Sequence, residues 1–361
     1  MGEPHGIGIV GLGVISAQYL ATLAEHPAVR IVATADLDGA RAEEVASRFD
    51  GCRALGVDEL VADPAVQTVL NLTVPAAHAD VALAALAAGT GVFGEKPLAA
   101  TFADARRVMD ARGSAWVGCA PDTVLGTGVQ TARAAVDAGA IGRPVAATAT
   151  WVSAGHEAWH PNPDFYYREG GGPLLDMGPY YLTTLFHLLG PVARVSGASS
   201  RPRDTRMIAT GPRAGEVIPV EVDTHVTGVL EHVGGAVSTV TFSFDAPVSD
   251  AAPIEVYGDG GTLSVPDPNL FDGEVRVRAG RDDPWRPVTE RAGYAGAGRG
   301  IGILDRIATG SDRTDGAIAL HVLEVMTALQ ESARSGARID LLTRPERPAL
   351  VPFTAAERWR A

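Results

Sequence analysis

The sequence predicts an α/β chain in two domains: a parallel sheet with crossover helices first, then an α+β domain built on a large, mostly antiparallel sheet. Three observations carry that expectation. At 361 residues the chain is too long for one ordinary hydrophobic core. Its first third alternates short apolar runs with amphipathic, alanine-rich stretches, the pattern of strands joined by crossover helices. From Val145 onward the segments lengthen, alternate in polarity and are joined by glycine turns, as hairpins require.

In the first domain, residues 1–122, strands are expected at 6–10, 30–35, 68–73, 91–95 and 116–120, with helices starting near Val14, Gly39, Ala77 and Thr101. Thr101 with Asp104 resembles a capping box. A helix through 131–138 meets the stop signals Gly139, Gly142 and Pro144, and with it the second domain, 123–361, begins. That domain is expected to hold strands at 220–231 and 236–244, turns at Gly234-Gly235 and Gly260-Gly261, and helices at 173–189 and 316–335. The Gly- and Arg-rich stretch 291–300 reads as a mobile loop.

A formal charge of −13 argues against nucleic acid and anionic membrane surfaces, which attract clustered Lys and Arg. No apolar run is long enough to cross a bilayer, and residues 1–5 lack the basic and apolar regions of a signal peptide, so the cytoplasm is the expected location. The two cysteines, Cys52 and Cys119, form no disulfide framework and no paired metal-ligand spacing; both are expected to be buried packing residues.

Gly11-Leu12-Gly13-Val14-Ile15-Ser16 follows an apolar strand directly and opens a helix, where a G-x-G-x-x-G/A turn must sit to cradle a pyrophosphate. Gly11 permits the tight turn, Gly13 lets the backbone approach the phosphates, and the helix N-terminus offers free N–H groups through Val14 and Ile15. Ser16 is small enough for helix–strand packing. Asp36 closes the second strand, where a carboxylate accepts from the adenosine ribose hydroxyls and repels a 2′-phosphate. Leu37 and Asp38 supply no cation for that phosphate, which favours NAD over NADP, although Arg41 lies close by; alternatively, Asp36 caps the next helix. The fold class is therefore a Rossmann domain followed by the α+β domain. Lys96, between Gly94 and Pro97 at a strand's carboxyl end, lies where open α/β sheets bind ligands, unless it merely pairs with Glu95 at the surface.

In these features the chain resembles the glucose-fructose oxidoreductase, inositol dehydrogenase and rhizopine-catabolism family, Gfo/Idh/MocA. The resemblance rests on Gly11-x-Gly13, on Asn71-Leu72-Thr73-Val74-Pro75 with His78, on Glu95-Lys96-Pro97, and on the run Gly170-Gly171-Gly172 through Asp176 to Gly178. It spans most of the chain and extends to the closing helix around His321. It implies that Lys96 lies beside the nicotinamide and the reacting alcohol, that the peptide before Pro97 is often cis, and that the 71–75 run, with Thr73 and Pro75, lines the cofactor together with His78 and Glu95.

Asp176 and Tyr180 are four residues apart on a predicted helix and so share a face. Most members of the family carry His where this chain has Tyr180, a departure that glucose-fructose oxidoreductase and dihydrodiol dehydrogenases resemble. Free Lys and Tyr titrate near ~10.4 and ~10, above the range in which a general base works best. A cationic nicotinamide and burial would lower Lys96, and charged Lys96 would lower Tyr180, with Asp176 orienting the pair. His156, Trp159, His160, Tyr166 and Arg168 form a polar and aromatic loop suited to a sugar: rings pack on C–H faces while His and Arg bond hydroxyls. A metal held by His156 and His160 lacks a third obvious ligand, so no metal is expected.

The expected activity is hydride exchange between NAD and a secondary hydroxyl of a pyranose, glycoside or cyclitol, with Lys96, Tyr180 and Asp176 as the catalytic group. Two alternatives are a glycoside-processing enzyme that uses NAD transiently and a non-catalytic NAD-binding sensor or regulator; Lys96, Asp176 and Tyr180 count against the second. A broad sheet covered by helices on one face, and the association of relatives through that surface, predict a homodimer or homotetramer.

Overall fold

Short apolar runs joined by helices build the first sheet. In a computed structural model that describes residues 3–361, the order is β1 (His5–Val10), α1 (Ser16–Leu23), β2 (Val29–Ala35), α2 (Gly39–Ala46), β3 (Arg53–Ala54), α3 (Val57–Ala62), β4 (Thr68–Asn71), α4 (Pro75–Ala87), β5 (Gly91–Gly94), α5 (Phe102–Ala111) and β6 (Val117–Cys119). The six strands are parallel, in the order β3-β2-β1-β4-β5-β6. Ile7, Ile9, Val69, Leu70 and Phe93 are wholly buried, as strands covered on both faces demand. The order reverses between β1 and β4, so the loops leaving their carboxyl ends diverge and open a crevice. All five expected strands and four helix starts are present; β3 and α3 are additions too short to leave a periodic signal. Thr101 caps α5, accepting from the Asp104 amide. Cys119 is buried but Cys52 only partly so, which corrects that expectation.

By internal contacts the chain divides into two compact units. The first takes the residues up to Gly126 together with Gly293–Leu320 and Val351–Ala361, and the second takes Thr127–Ala292 and His321–Leu350. Segments 293–320 and 351–361, which sequence reasoning gives to the second domain, thus cluster with the first. The stretch expected as a mobile loop is tied down there. Tyr294 is buried, bridges to Gly126 and Thr354, and donates its hydroxyl to Asp305 at 2.6 Å.

The second unit opens on α6 (Thr127–Asp137) and builds its sheet from β7 (Pro144–Val152), β8 (Val192–Ser200), β11 (His225–His232), β12 (Val237–Ser243), β13 (Ile254–Gly258), β14 (Gly261–Val265), β15 (Arg276–Arg278), β16 (Arg286–Pro287) and β17 (Ile339–Asp340). Only the β7–β12 pair is parallel in the order β16-β15-β14-β13-β7-β12-β11-β8-β17. β9 (Thr205–Met207) and β10 (Val217–Pro219) form a separate antiparallel pair. That pair claims the chain up to Pro219, so the strand expected from residue 220 starts only at His225.

Helices α7 (Pro173–Leu189) and α9 (Gly316–Ser335) match their expected bounds. Tyr181 of α7 meets Phe242 edge-on at 5.7 Å, and Phe186 lies 5.9 Å from His321 of α9. The opposite face of the sheet carries Thr239 and the half-exposed Val229 and Val237. The remaining helices, α8 (Ile301–Thr309) and α10 (Ala356–Trp359), belong to the first unit. No helix among the described residues is long and apolar enough to cross a membrane.

Candidate active site

The carboxyl ends of β1, β2, β4 and β5 gather the cofactor residues expected from the sequence along one edge of the parallel sheet. Gly11 turns with φ 89°, and a Cβ there would stand 2.8 Å from the Leu72 carbonyl carbon and the Thr73 nitrogen. The loops after β1 and β4 can meet this closely because residue 11 is glycine. Gly13 faces open space, and α1 begins at Ser16 with no side chain capping it. A bare helix start preceded by glycine amides suits a pyrophosphate.

Asp36 accepts from the amides of Leu12 at 2.7 Å and Asp38 at 2.9 Å, which sets its carboxylate beside the glycine turn. Asp38 caps α2, leaving Asp36 for another role. Arg41 reaches both, 3.5 Å from Asp36 and 3.4 Å from Asp38. Val14, Leu37 and Val74 follow β1, β2 and β4 and stand 93%, 107% and 67% exposed, apolar surface that a bound dinucleotide would cover. Donors, acidic acceptor and apolar rim together fit a nicotinamide dinucleotide. Thr73, half-buried, is fixed by Asn71, and Pro75 starts α4.

The peptide Lys96–Pro97 is cis. Beneath it Glu95 is buried, accepting from the Tyr19 hydroxyl at 2.8 Å and the Lys96 amide at 2.9 Å, with Arg299 3.9 Å away. Burial and the Glu95 charge push the Tyr19 hydroxyl well above its ordinary range, so it stays a donor. His78 is buried too, with Nδ1 2.6 Å from the Pro97 carbonyl and Nε2 3.0 Å from the Thr73 carbonyl. Burial lowers its pKa, opposed by those two carbonyls and by Glu95. Glu95 and His78, expected to line the cofactor, instead lie under the rim and hold Thr73, Lys96 and Pro97 in place.

Sequence reasoning missed three members of this group. Tyr19, Asp122 and Arg299 are far apart in the chain, and only the fold joins them to Glu95. Asp122 accepts from the Gly300 and Gly302 amides at 2.8 and 3.1 Å, and burial pushes its carboxyl up to about 6. One signal in the sequence went unread: Lys96 is the sole lysine of the chain, every other basic side chain of the Lys and Arg class being arginine.

In the second unit the glycine triplet brings the aromatic loop against the start of α7. A Cβ on Gly171 would fall 2.5 Å from the Phe165 carbonyl oxygen, and Gly172 caps α7 with φ 92° while donating to the Tyr166 carbonyl at 2.8 Å. His156 Nε2 then reaches Asp176 Oδ2 at 2.8 Å. The His156 ring lies 5.1 Å from Trp159 and 4.1 Å from Tyr166, and His160 is 5.7 Å from Tyr166. Four of the five expected wall residues therefore come together. Arg168, largely exposed, instead extends toward Asp164 at 4.0 Å. Tyr180 is buried one turn beyond Asp176. Among the described residues no group of three His, Cys, Asp or Glu is arranged to hold a metal.

An acid-tipped second strand beside a glycine turn at the switch point of a six-stranded parallel sheet, followed by a mixed-sheet unit, defines an oxidoreductase built on a nicotinamide-dinucleotide fold. Residues 5–118 match the model of the oxidoreductase family with an NAD-binding Rossmann fold, and residues 129–264 match the GFO/IDH/MocA C-terminal domain. The chain belongs to the Gfo/Idh/MocA oxidoreductase family. It is 29% identical to D-xylose 1-dehydrogenase (NADP(+)) 2 of Haloferax volcanii, over 93% of this chain and 98% of that protein. It is 31% identical to dTDP-3,4-didehydro-2,6-dideoxy-alpha-D-glucose 3-reductase of Streptomyces violaceoruber, over 91% and 95%. An NAD binding oxidoreductase from Klebsiella pneumoniae shares the fold with a TM-score of 0.80 at 24% identity, over 95% of this chain and 100% of that one. The apo form of levoglucosan dehydrogenase does so at 0.78 and 22%, with the same coverage.

Proposed function

We propose that this chain oxidises or reduces a secondary hydroxyl or ketone of a pyranose, glycoside or cyclitol, using NAD in preference to NADP. The observation that carries the reading is Lys96, the sole lysine, placed just past the end of β5 with its amide held by the buried Glu95. The dinucleotide, when bound, supplies the hydride acceptor or donor. Gly11, Gly13, Val14 and Ile15 hold its pyrophosphate, Asp36 its ribose hydroxyls, and Thr73, Pro75 and Pro97 its nicotinamide half. Lys96 and Tyr180 take the proton from the alcohol oxygen or return it, and Asp176 orients the reacting hydroxyl. Trp159 and Tyr166 pack on the C–H faces of the ring, with His160 bonding an outer hydroxyl. The sugars in the names of the relatives support a polyhydroxylated substrate.

The same reading includes a homodimer or homotetramer associated through the open face around Val229 and Thr239, and a cytoplasmic location, where nicotinamide dinucleotides are available. The test incubates the protein with NAD+ or NADP+ and a panel holding D-xylose, levoglucosan, myo-inositol and methyl glycosides, and follows reduced nicotinamide. NADH formation on at least one of them is expected. A protein that binds NADH yet turns over none of the panel in either direction would overturn the reading.

A further inference from the structure

The mechanism above leaves His156 without a task, yet it is buried within the aromatic loop and bonded to Asp176. Its ring is 6% exposed, packed among Trp151, Trp159, Tyr166 and Phe244, with centroids 4.1 to 6.1 Å away. Its backbone amide donates to the Tyr167 hydroxyl at 3.0 Å, and that hydroxyl donates to Glu157. Glu157 is bonded in turn by Arg206 at 2.8 Å, which also pairs with Asp245 and caps the Phe244 carbonyl at 3.2 Å. A buried charge network of this kind costs more to assemble than packed apolar residues would, which points to a geometry being held.

What it holds is the bond from His156 Nε2 to Asp176 Oδ2, 2.8 Å long. The other ring nitrogen, Nδ1, is buried with no hydrogen-bond partner. A ring proton on Nδ1 would be stranded, so the tautomer that satisfies the ring carries its proton on Nε2 and donates it to the carboxylate. Apolar packing alone would not explain an imidazole here, because a phenyl ring would fill the same cage without an orphaned nitrogen.

We propose that His156 is a positioning residue for the reaction, fixing the plane of the Asp176 carboxylate through a histidine–carboxylate dyad. The dyad stands one helical turn from Tyr180 on α7. The proposal rests on the reading of Asp176 as a substrate-orienting residue. His156 acts by denying Asp176 its alternative rotamers, and a misplaced reacting hydroxyl costs up to about a hundredfold in rate.

Two variants separate positioning from packing. His156→Phe keeps a ring in the cage and deletes the donor, whereas His156→Gln loses the ring but can return an N–H to Asp176. On the sugar or cyclitol that wild type oxidises fastest, positioning predicts a kcat lowered on the order of tenfold to a hundredfold in His156→Phe, with partial recovery in His156→Gln and NADH affinity unchanged in both. Packing predicts the reverse order, with Phe harmless and Gln damaging, and that order would overturn the proposal. In an Asp176→Asn background His156→Phe should add nothing further; a full additional loss would also overturn it. Nitrogen-15 histidine spectra give a reading without substrate. The resonances lost in His156→Phe should be those of a ring with a proton on Nε2 and should shift in Asp176→Asn, and a ring protonated on Nδ1 alone would refute the dyad. If Asp176→Asn turns over like wild type, the underlying reading of Asp176 fails while the dyad itself stands or falls on the spectra.

Discussion

Asp36→Asn should move cofactor preference from NAD toward NADP. The substitution keeps a carbonyl oxygen for the Leu12 amide, now 2.7 Å from the carboxylate, so the glycine turn retains its support. It removes the charge that, on the proposed reading, faces the adenosine 2′ position. Two like charges about 4 Å apart repel by about 4 kcal/mol at an effective dielectric near 20, and Arg41, already 3.5 Å from Asp36, halves this to about 2 kcal/mol. Exchanging a charged acceptor for a neutral one weakens the ribose hydrogen bonds by about 1 kcal/mol. Together these shift the ratio of NADPH to NADH affinity by roughly a hundredfold. Fluorescence titration of both reduced cofactors measures that ratio. Arg41→Ala added to Asp36→Asn should take back the gain for NADPH, since the freed guanidinium is then the phosphate's partner. An unchanged ratio in Asp36→Asn would refute the assignment of Asp36 to the ribose.

Gly11→Ala places a methyl 2.8 Å from the Leu72–Thr73 peptide at φ 89°, so it should cost about 1–3 kcal/mol of stability and weaken NADH binding together; thermal melts and titration of one sample check both. Asp122 has its carboxyl raised by burial to about 6 from 3.8, so its protonated form is favoured in the fold and stability from this group falls by about 3 kcal/mol as pH rises from about 4 through 6. Asp122→Asn keeps an oxygen for the Gly300 and Gly302 amides and should gain most over wild type above pH 6 and least near pH 4; a difference that does not vary with pH would contradict the buried charge. Under the proposed association through the open sheet face, wild type should scatter as a dimer or tetramer and Val229→Arg with Thr239→Arg, on paired positions of that face, as a monomer, whereas an unaltered mass would refute that interface.

Local chemistry was legible in the sequence, and spatial convergence was not. The five longer parallel strands, the Gly11 turn and the Thr101 cap announce themselves because each depends on residues a few positions apart. Pro173–Leu189 was readable despite Pro179 inside it, because its stop, Gly190, and its apolar periodicity are local as well. β3 and α3 are too short for any period to emerge. The segment 220–224 alternates in polarity like a strand, but Val220 donates to Asp204 beside the β9–β10 pair, a partner no pattern in residues 220–231 encodes. Tyr294 made the stretch 291–300 an anchored element, since one buried aromatic bonded to Asp305 outweighs the surrounding glycines. At the site, composition singled out the aromatic loop, yet the pairing of His156 with Asp176 across twenty positions depended on Gly171 admitting the loop. Glu95 and His78 read as cofactor residues because they sit in the motifs; their burial under the rim follows from Tyr19 and from the carbonyls of Thr73 and Pro97.

The most direct test of the account compares turnover of wild type and Lys96→Met on the best sugar or cyclitol found, with NADH affinity measured on the same samples. Methionine preserves the length and apolar stem of the chain's sole lysine while deleting its amine. The account predicts that kcat falls on the order of a hundredfold or more, because a positioned proton acceptor and a charge beside the developing alkoxide are both lost, while NADH affinity holds. Equal turnover in the two proteins would contradict it.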